Sequence, residues 1–187
     1  MVGYIQYVLV GLVRELGGED AVTTVCQKAG LTTAPSFRID TDYSDSECLA
    51  LIKATGEHFQ LTNEQLYAAY ADGFILAAKR QFPKFFAMAS SAKDFLRRQP
   101  RIHQTLASSI RDADTRQQVG AKFELVEDGE QLVVRYHSKN GLCGLYEALF
   151  QRLLEEYGET GSMTHHRCQH RGHDYCEFFL QFDREAA

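Results

Sequence analysis

Apolar side chains recur every three to four residues up to Gly120 and every second residue just after it, so the pattern itself separates helical from extended sequence. Ile5, Val8, Leu9, Leu12, Val13 and Leu16 share one face of a helix over residues 3–16, with Gly17-Gly18 as its stop. A second short helix is expected from Glu19 to Lys28. Residues 31–43 contain Pro35 and alternate weakly, which predicts a loop or a short extended piece. Ser44-x-x-Glu47 precedes Leu49, Leu51 and Ile52, and Thr62-x-x-Gln65 precedes Leu66, Tyr70, Phe74 and Ala77. Both have the spacing of a capping box, in which two side chains satisfy the free amides of a helix start. Pro83 lacks an amide donor and disfavours helical geometry at Phe82, so it ends that second helix. A further helical region is expected over Ala92–Asp112.

Beyond Gly120, Phe123 and Leu125, then Leu132, Val134 and Tyr136, alternate on either side of Asp128-Gly129, which predicts a β-hairpin. Leu142, Leu145, Tyr146, Leu149, Phe150, Leu153, Leu154 and Tyr157 return to the helical period and mark a long amphipathic helix. Two terminal strands close the order β-β-α-β-β. The expected class is α+β: a helical N-terminal half, about residues 1–115, packed on a small antiparallel four-stranded sheet with one long helix over about 120–183. No repeat or low-complexity linker interrupts the chain, so residues 1–187 are read as one domain.

Composition narrows the function classes. With 187 residues and 44% hydrophobic content the chain can bury a substantial core. A net charge of −5 and the lack of any Lys/Arg run argue against a nucleic-acid surface. The apolar start, Met1 to Val10, has no cationic flank and meets Arg14 and Glu15 too soon to span a membrane, so a cytoplasmic protein without a membrane partner is expected.

The candidate chemistry lies near the C-terminus. Cys143 and the run His165-x2-Cys168-x7-Cys176 supply three thiols and an imidazole, the soft tetrahedral set that zinc prefers. Gly172-His173-Asp174 turns the chain so that both hairpin thiols can face one point. His166, His170 and His173 compete for the ligand role. Strand alternation sends His166 to the other sheet face and leaves His170 and His173 in the turn, which favours His165. A disulfide is the competing reading. Five cysteines with no secretory segment point instead to a reduced compartment and a closed structural zinc site. Cys26 and Cys48 sit in helical segments and read as core thiols. A closed ligand set, with no nucleophile–base pair or phosphate loop at recognisable spacing, argues against an enzyme.

Met1-x-Gly3-x-Ile5, Ile102-His103, Tyr136-x-Ser138 and this order of elements together resemble the heme nitric oxide/oxygen-binding (H-NOX) family, over nearly the whole chain. The resemblance implies a heme b held by His103, on the helix before the sheet. It also implies propionate contacts from Tyr136 and Ser138, and a distal pocket that includes Tyr4, Ile5, Phe74 and Leu145. The Tyr-x-Ser-x-Arg motif of the family reads Tyr136-His137-Ser138-Lys139-Asn140 here, so an amide stands where a bidentate guanidinium is usual. The proline that usually follows the histidine-bearing helix is likewise missing from Arg111 to Arg116. Members that bind oxygen stably carry a tyrosine where this chain has Leu145, and leucine donates no hydrogen bond. The four zinc positions match a zinc-containing bacterial type.

The resemblance therefore implies a sensor that takes nitric oxide and carbon monoxide on ferrous heme. Its helical half is expected to move and to regulate a separate histidine kinase or cyclic-dinucleotide enzyme. The alternative is a heme-free binding module of the same fold for an apolar ligand, with His103 as a structural residue.

Overall fold

The computed structural model describes residues 3–31, 36–38, 41–129 and 131–183, and the chain forms two compact units, Met1–Ala77 and Ala78–Ala187. In the first unit α1 (Tyr4–Lys28) packs on α2 (Asp45–Phe59). The two short helices expected on either side of Gly17-Gly18 form one element with a kink. Gly18 alone leaves helical geometry, at φ +71°, a value that glycine reaches without steric cost. The helix α3 (Asn63–Gln81) opens on the expected capping box. Gln65 N donates to Thr62 Oγ1 at 3.2 Å, and Thr62 N donates to Gln65 Oε1 at 2.9 Å. At the start of α2 the Ser44 hydroxyl accepts from Glu47 N at 3.5 Å. Leu9, Val13, Val22, Val25, Leu51 and Leu66 are buried and form the core of this unit, each contributing about 1.5–3 kcal/mol through removal from water.

In the second unit Pro83 opens a short helix, α4 (Pro83–Ala87), after ending α3. The single helical region expected over 92–112 is in fact α5 (Ala92–Arg97) and α6 (Gln99–Ala107). Pro100 explains the break: it has no amide to continue the first helix and sits instead in the first turn of the next. A further helix, α7 (Ala113–Gly120), is capped by Asp112, whose carboxylate accepts from Thr115 N at 2.8 Å.

Strands β1 (Phe123–Asp128) and β2 (Gln131–Tyr136) form the expected hairpin, with Gly129 at φ +60°. The long helix α8 (Cys143–Tyr157) follows, then β3 (Gly161–Arg167) and β4 (Cys176–Phe182). The sheet is antiparallel throughout, in the order β1-β2-β4-β3. Register sets Leu132 opposite Leu180, Val134 opposite Phe178 and Tyr136 opposite Cys176 on one face. These residues are buried, as are Tyr146, Phe150, Leu153 and Leu154 on α8, and Tyr146 meets Phe178 ring to ring at 4.9 Å. The opposite face carries an ion-pair group around buried Glu177, which accepts from Arg135 Nε at 2.9 Å. The helical N-terminal part and the four-stranded antiparallel sheet are those expected from the sequence. Among the described residues no helix is long and apolar enough to cross a membrane.

Candidate metal centre and heme ligand

The second unit brings Cys143, His165, Cys168 and Cys176 together, with one ligand atom from each lying within 4.8 Å of the other three. Cys143 is the first residue of α8. Gly141, at φ +63°, sets up that start, and a Cβ there would meet the His170 ring at 2.6 Å. Cys168 leaves β3 just past a bulge between His165 and Arg167. A 3-10 turn over Gln169–Arg171, closed by Gly172 at φ +87°, then returns the chain to Cys176. The bulge matters because it shifts the register between His165 and Cys168. Cys168 and Cys176 are buried, and Gln169 N donates to Cys176 Sγ at 3.5 Å.

The cysteines are free thiols, and Cys143 Sγ stands 4.0 Å from Cys168 Sγ, far beyond the roughly 2.05 Å of a disulfide bond. Tetrahedral ligands about 2.0–2.3 Å from an ion sit about 3.3–3.8 Å apart, close to the spacing here. Electrostatics point the same way. Burial and the neighbouring Cys176 and Cys168 push the Cys143 thiol up to about 12. Burial also raises Cys168, but hydrogen bonds from the His170 backbone and from the other two thiols outweigh it, and the net shift is downward. Three sulfurs this close resist ionising together, and a dication removes that penalty. His165 Nε2 is buried and makes no hydrogen bond among the described residues, so the donor set has a free imidazole lone pair for a metal. The residues present fit a structural zinc ion.

The competing histidines are engaged elsewhere. His166 turns to the outer face, with Nδ1 3.3 Å from Glu177. His170 Nε2 lies 2.8 Å from the Gly141 carbonyl, and His173 Nδ1 lies 3.1 Å from the Cys168 carbonyl. Sequence reasoning missed Glu147, whose carboxylate is 3.0 Å from His165 Nδ1. Its signal was available: Glu147 stands four residues after Cys143, one turn along the same helix face.

His103 lies on α6, with its ring 4.7 Å from Phe123. Its Nδ1 is buried and makes no hydrogen bond among the described residues. Burial, reinforced by the charge of Lys122, pulls its pKa down to about 3, so the ring is neutral at ordinary pH. Phe123 stacks on Tyr136 at 5.2 Å and lies 5.4 Å from Tyr146. Through Phe178 this run of rings reaches His165, at 4.4 Å. Tyr136 is therefore a wall of the interior. The Ser138 hydroxyl accepts from Asn140 N at 3.4 Å.

A model of the haem-NO-binding family matches residues 2–165. The chain belongs to the haem-NO-binding family. No curated protein matches it. Among solved structures, an H-NOX protein from S. oneidensis in the Fe(II)NO ligation state superposes with a TM-score of 0.82 at 15% identity, covering 98% of this chain and 100% of that one. Fe(II) unliganded H-NOX protein from K. algicida gives 0.80 at 17% identity, covering 100% and 99%. An oxygen-binding H-NOX domain related to soluble guanylate cyclases gives 0.77 at 18% identity, covering 98% and 96%. At these identities the likeness establishes the fold.

Within that fold, His103, Tyr136, Ser138, Leu145 and the Cys/His cluster belong to the second unit, and Tyr4, Ile5 and Phe74 to the first. Leu145 is buried, and its neighbour Tyr146 points its hydroxyl to Gln99 Oε1 at 3.3 Å. In the first unit Tyr4 packs edge-on against Phe74 at 5.3 Å.

Proposed function

We propose that this chain is a heme-based gas sensor that takes nitric oxide and carbon monoxide, regulates a separate signalling partner and carries a structural zinc ion. The observation that supports it most is His103, a neutral imidazole with a buried nitrogen that makes no hydrogen bond among the described residues. When bound, the heme supplies the iron that receives the diatomic gas. The chain's own part would be to hold the iron through His103 and the propionates through the hydroxyls of Tyr136 and Ser138. Leu145 offers no hydrogen bond to a bound gas, which favours nitric oxide and carbon monoxide over oxygen. Cys143, His165, Cys168 and Cys176 would supply four protein ligands to zinc, whose role would be to fasten the hairpin of β3 and β4 to α8.

One observation favours a heme-free binding module for an apolar ligand instead. Asn140 stands where a propionate-binding arginine is usual, and its backbone N–H donates to the Ser138 hydroxyl at 3.4 Å, which occupies an acceptor site of a group that would otherwise face a propionate. Heme titration of the wild type and His103→Ala separates the two readings. A Soret band in the wild type that is lost in a variant of unchanged circular dichroism is the expected result. The same band in both proteins would remove His103 from the iron, and no band in either would favour the heme-free module.

A further inference from the structure

We propose that Glu147 is a positioning residue of the metal cluster: its carboxylate holds His165 through Nδ1 and thereby presents Nε2 to the ion. The inference rests on the zinc reading and deepens it. A neutral imidazole carries its proton on one nitrogen and a lone pair on the other, so the choice of tautomer decides which nitrogen can bind a metal. Glu147 Oε1 lies 3.0 Å from His165 Nδ1. An ionised carboxylate only accepts hydrogen bonds, so the proton belongs on Nδ1 and the lone pair on Nε2. Nε2 is the atom that is buried and makes no hydrogen bond among the described residues. The tautomer needed for ligation is thus set by the protein itself.

The rest of the ring's surroundings agree. Phe178 covers one side of the imidazole at 4.4 Å, which limits its rotation. Arg171 donates to the His165 carbonyl at 3.0 Å, which ties the backbone of that residue to the turn before Cys176. Because Glu147 is one turn after Cys143, α8 supplies a metal ligand and the group that aims a second ligand from the same face. A carboxylate behind a ligating histidine also raises its basicity, and loss of such a partner typically weakens metal binding about 10- to 100-fold.

The test is a zinc competition titration of the full chain against a chromophoric chelator, for the wild type, Glu147→Ala and Glu147→Gln. It is paired with nitrogen-15 spectra of the histidine rings in the zinc-loaded proteins. The expected result is one zinc per wild-type chain, weakened about 10- to 100-fold by Glu147→Ala and less by Glu147→Gln, which keeps an acceptor. The wild-type His165 should carry a slowly exchanging proton on Nδ1 that is lost from view in Glu147→Ala, a signal that a change in helix stability alone would not move. Wild-type protein that takes up no zinc overturns the zinc reading and this inference together. Tight zinc binding that is unchanged in Glu147→Ala, or a proton found on His165 Nε2, overturns the role of Glu147 alone.

Discussion

An imidazole pressed against an aromatic ring and kept from water is held neutral, and this gives His103 a pH signature as well as a ligand role. Burial first and the Lys122 charge second lower its pKa to about 3, against about 6.5 in an unfolded chain. Below pH 6.5 the unfolded chain takes up a proton that the folded chain refuses. The contribution to stability is therefore complete above pH 6.5 and is lost as pH falls toward 3. Denaturant unfolding of heme-free protein at pH 7 and pH 4.5 should show the wild type losing more stability than His103→Leu, by on the order of 2–3 kcal/mol. Equal losses in the two proteins would mean that His103 is solvated. Neither the neutrality of His103 nor its contact with Phe123 was legible in the sequence, because both depend on pairing β1 beside α6. The lone-pair arithmetic at His165 was hidden for a similar reason: it needs the distance to Glu147, and spacing alone gives only a shared helix face.

Elements with their own chemical punctuation were legible. The Thr62/Gln65 capping box, the Asp128-Gly129 turn and the apolar stripe of α8 each form where the pattern placed them. The misses share a cause. Pro100 reads the same whether it bends one helix or opens another, so α5 and α6 merged into one region. The α7 helix buries only Val119 and has no apolar period to find. The β3–β4 hairpin is the element that the proposed zinc ion would stabilise most. β3 carries mostly polar side chains with partial burial, and its connection to β4 is a bulge and a 3-10 turn. Chelation of purified, zinc-loaded protein should lower its melting temperature by about 5 °C or more, for a contribution of about 2 kcal/mol. It should also speed amide exchange between His165 and Cys176. Cys176→Ser should show the lower melting temperature from the outset and no response to chelator. A melting curve that chelation leaves untouched would contradict a structural zinc site.

At the scale of the whole molecule, family and fold were legible because the family match runs over residues 2–165, and the order of elements carries the likeness even where identity to solved relatives is only 15–18%. Each of the two units has its own core. The proposed iron ligand and the proposed zinc site both belong to the second, joined by rings in contact from His103 to His165. The departure from the family pattern with the most direct consequence is Asn140, which leaves Tyr136 and Ser138 to hold heme without the usual arginine. The most direct test is an absorption spectrum of the full chain, expressed with heme precursor and reduced, before and after addition of nitric oxide. The account predicts an intense Soret band that shifts on adding the gas. Well-folded protein with no Soret band, even after titration with hemin, would contradict it.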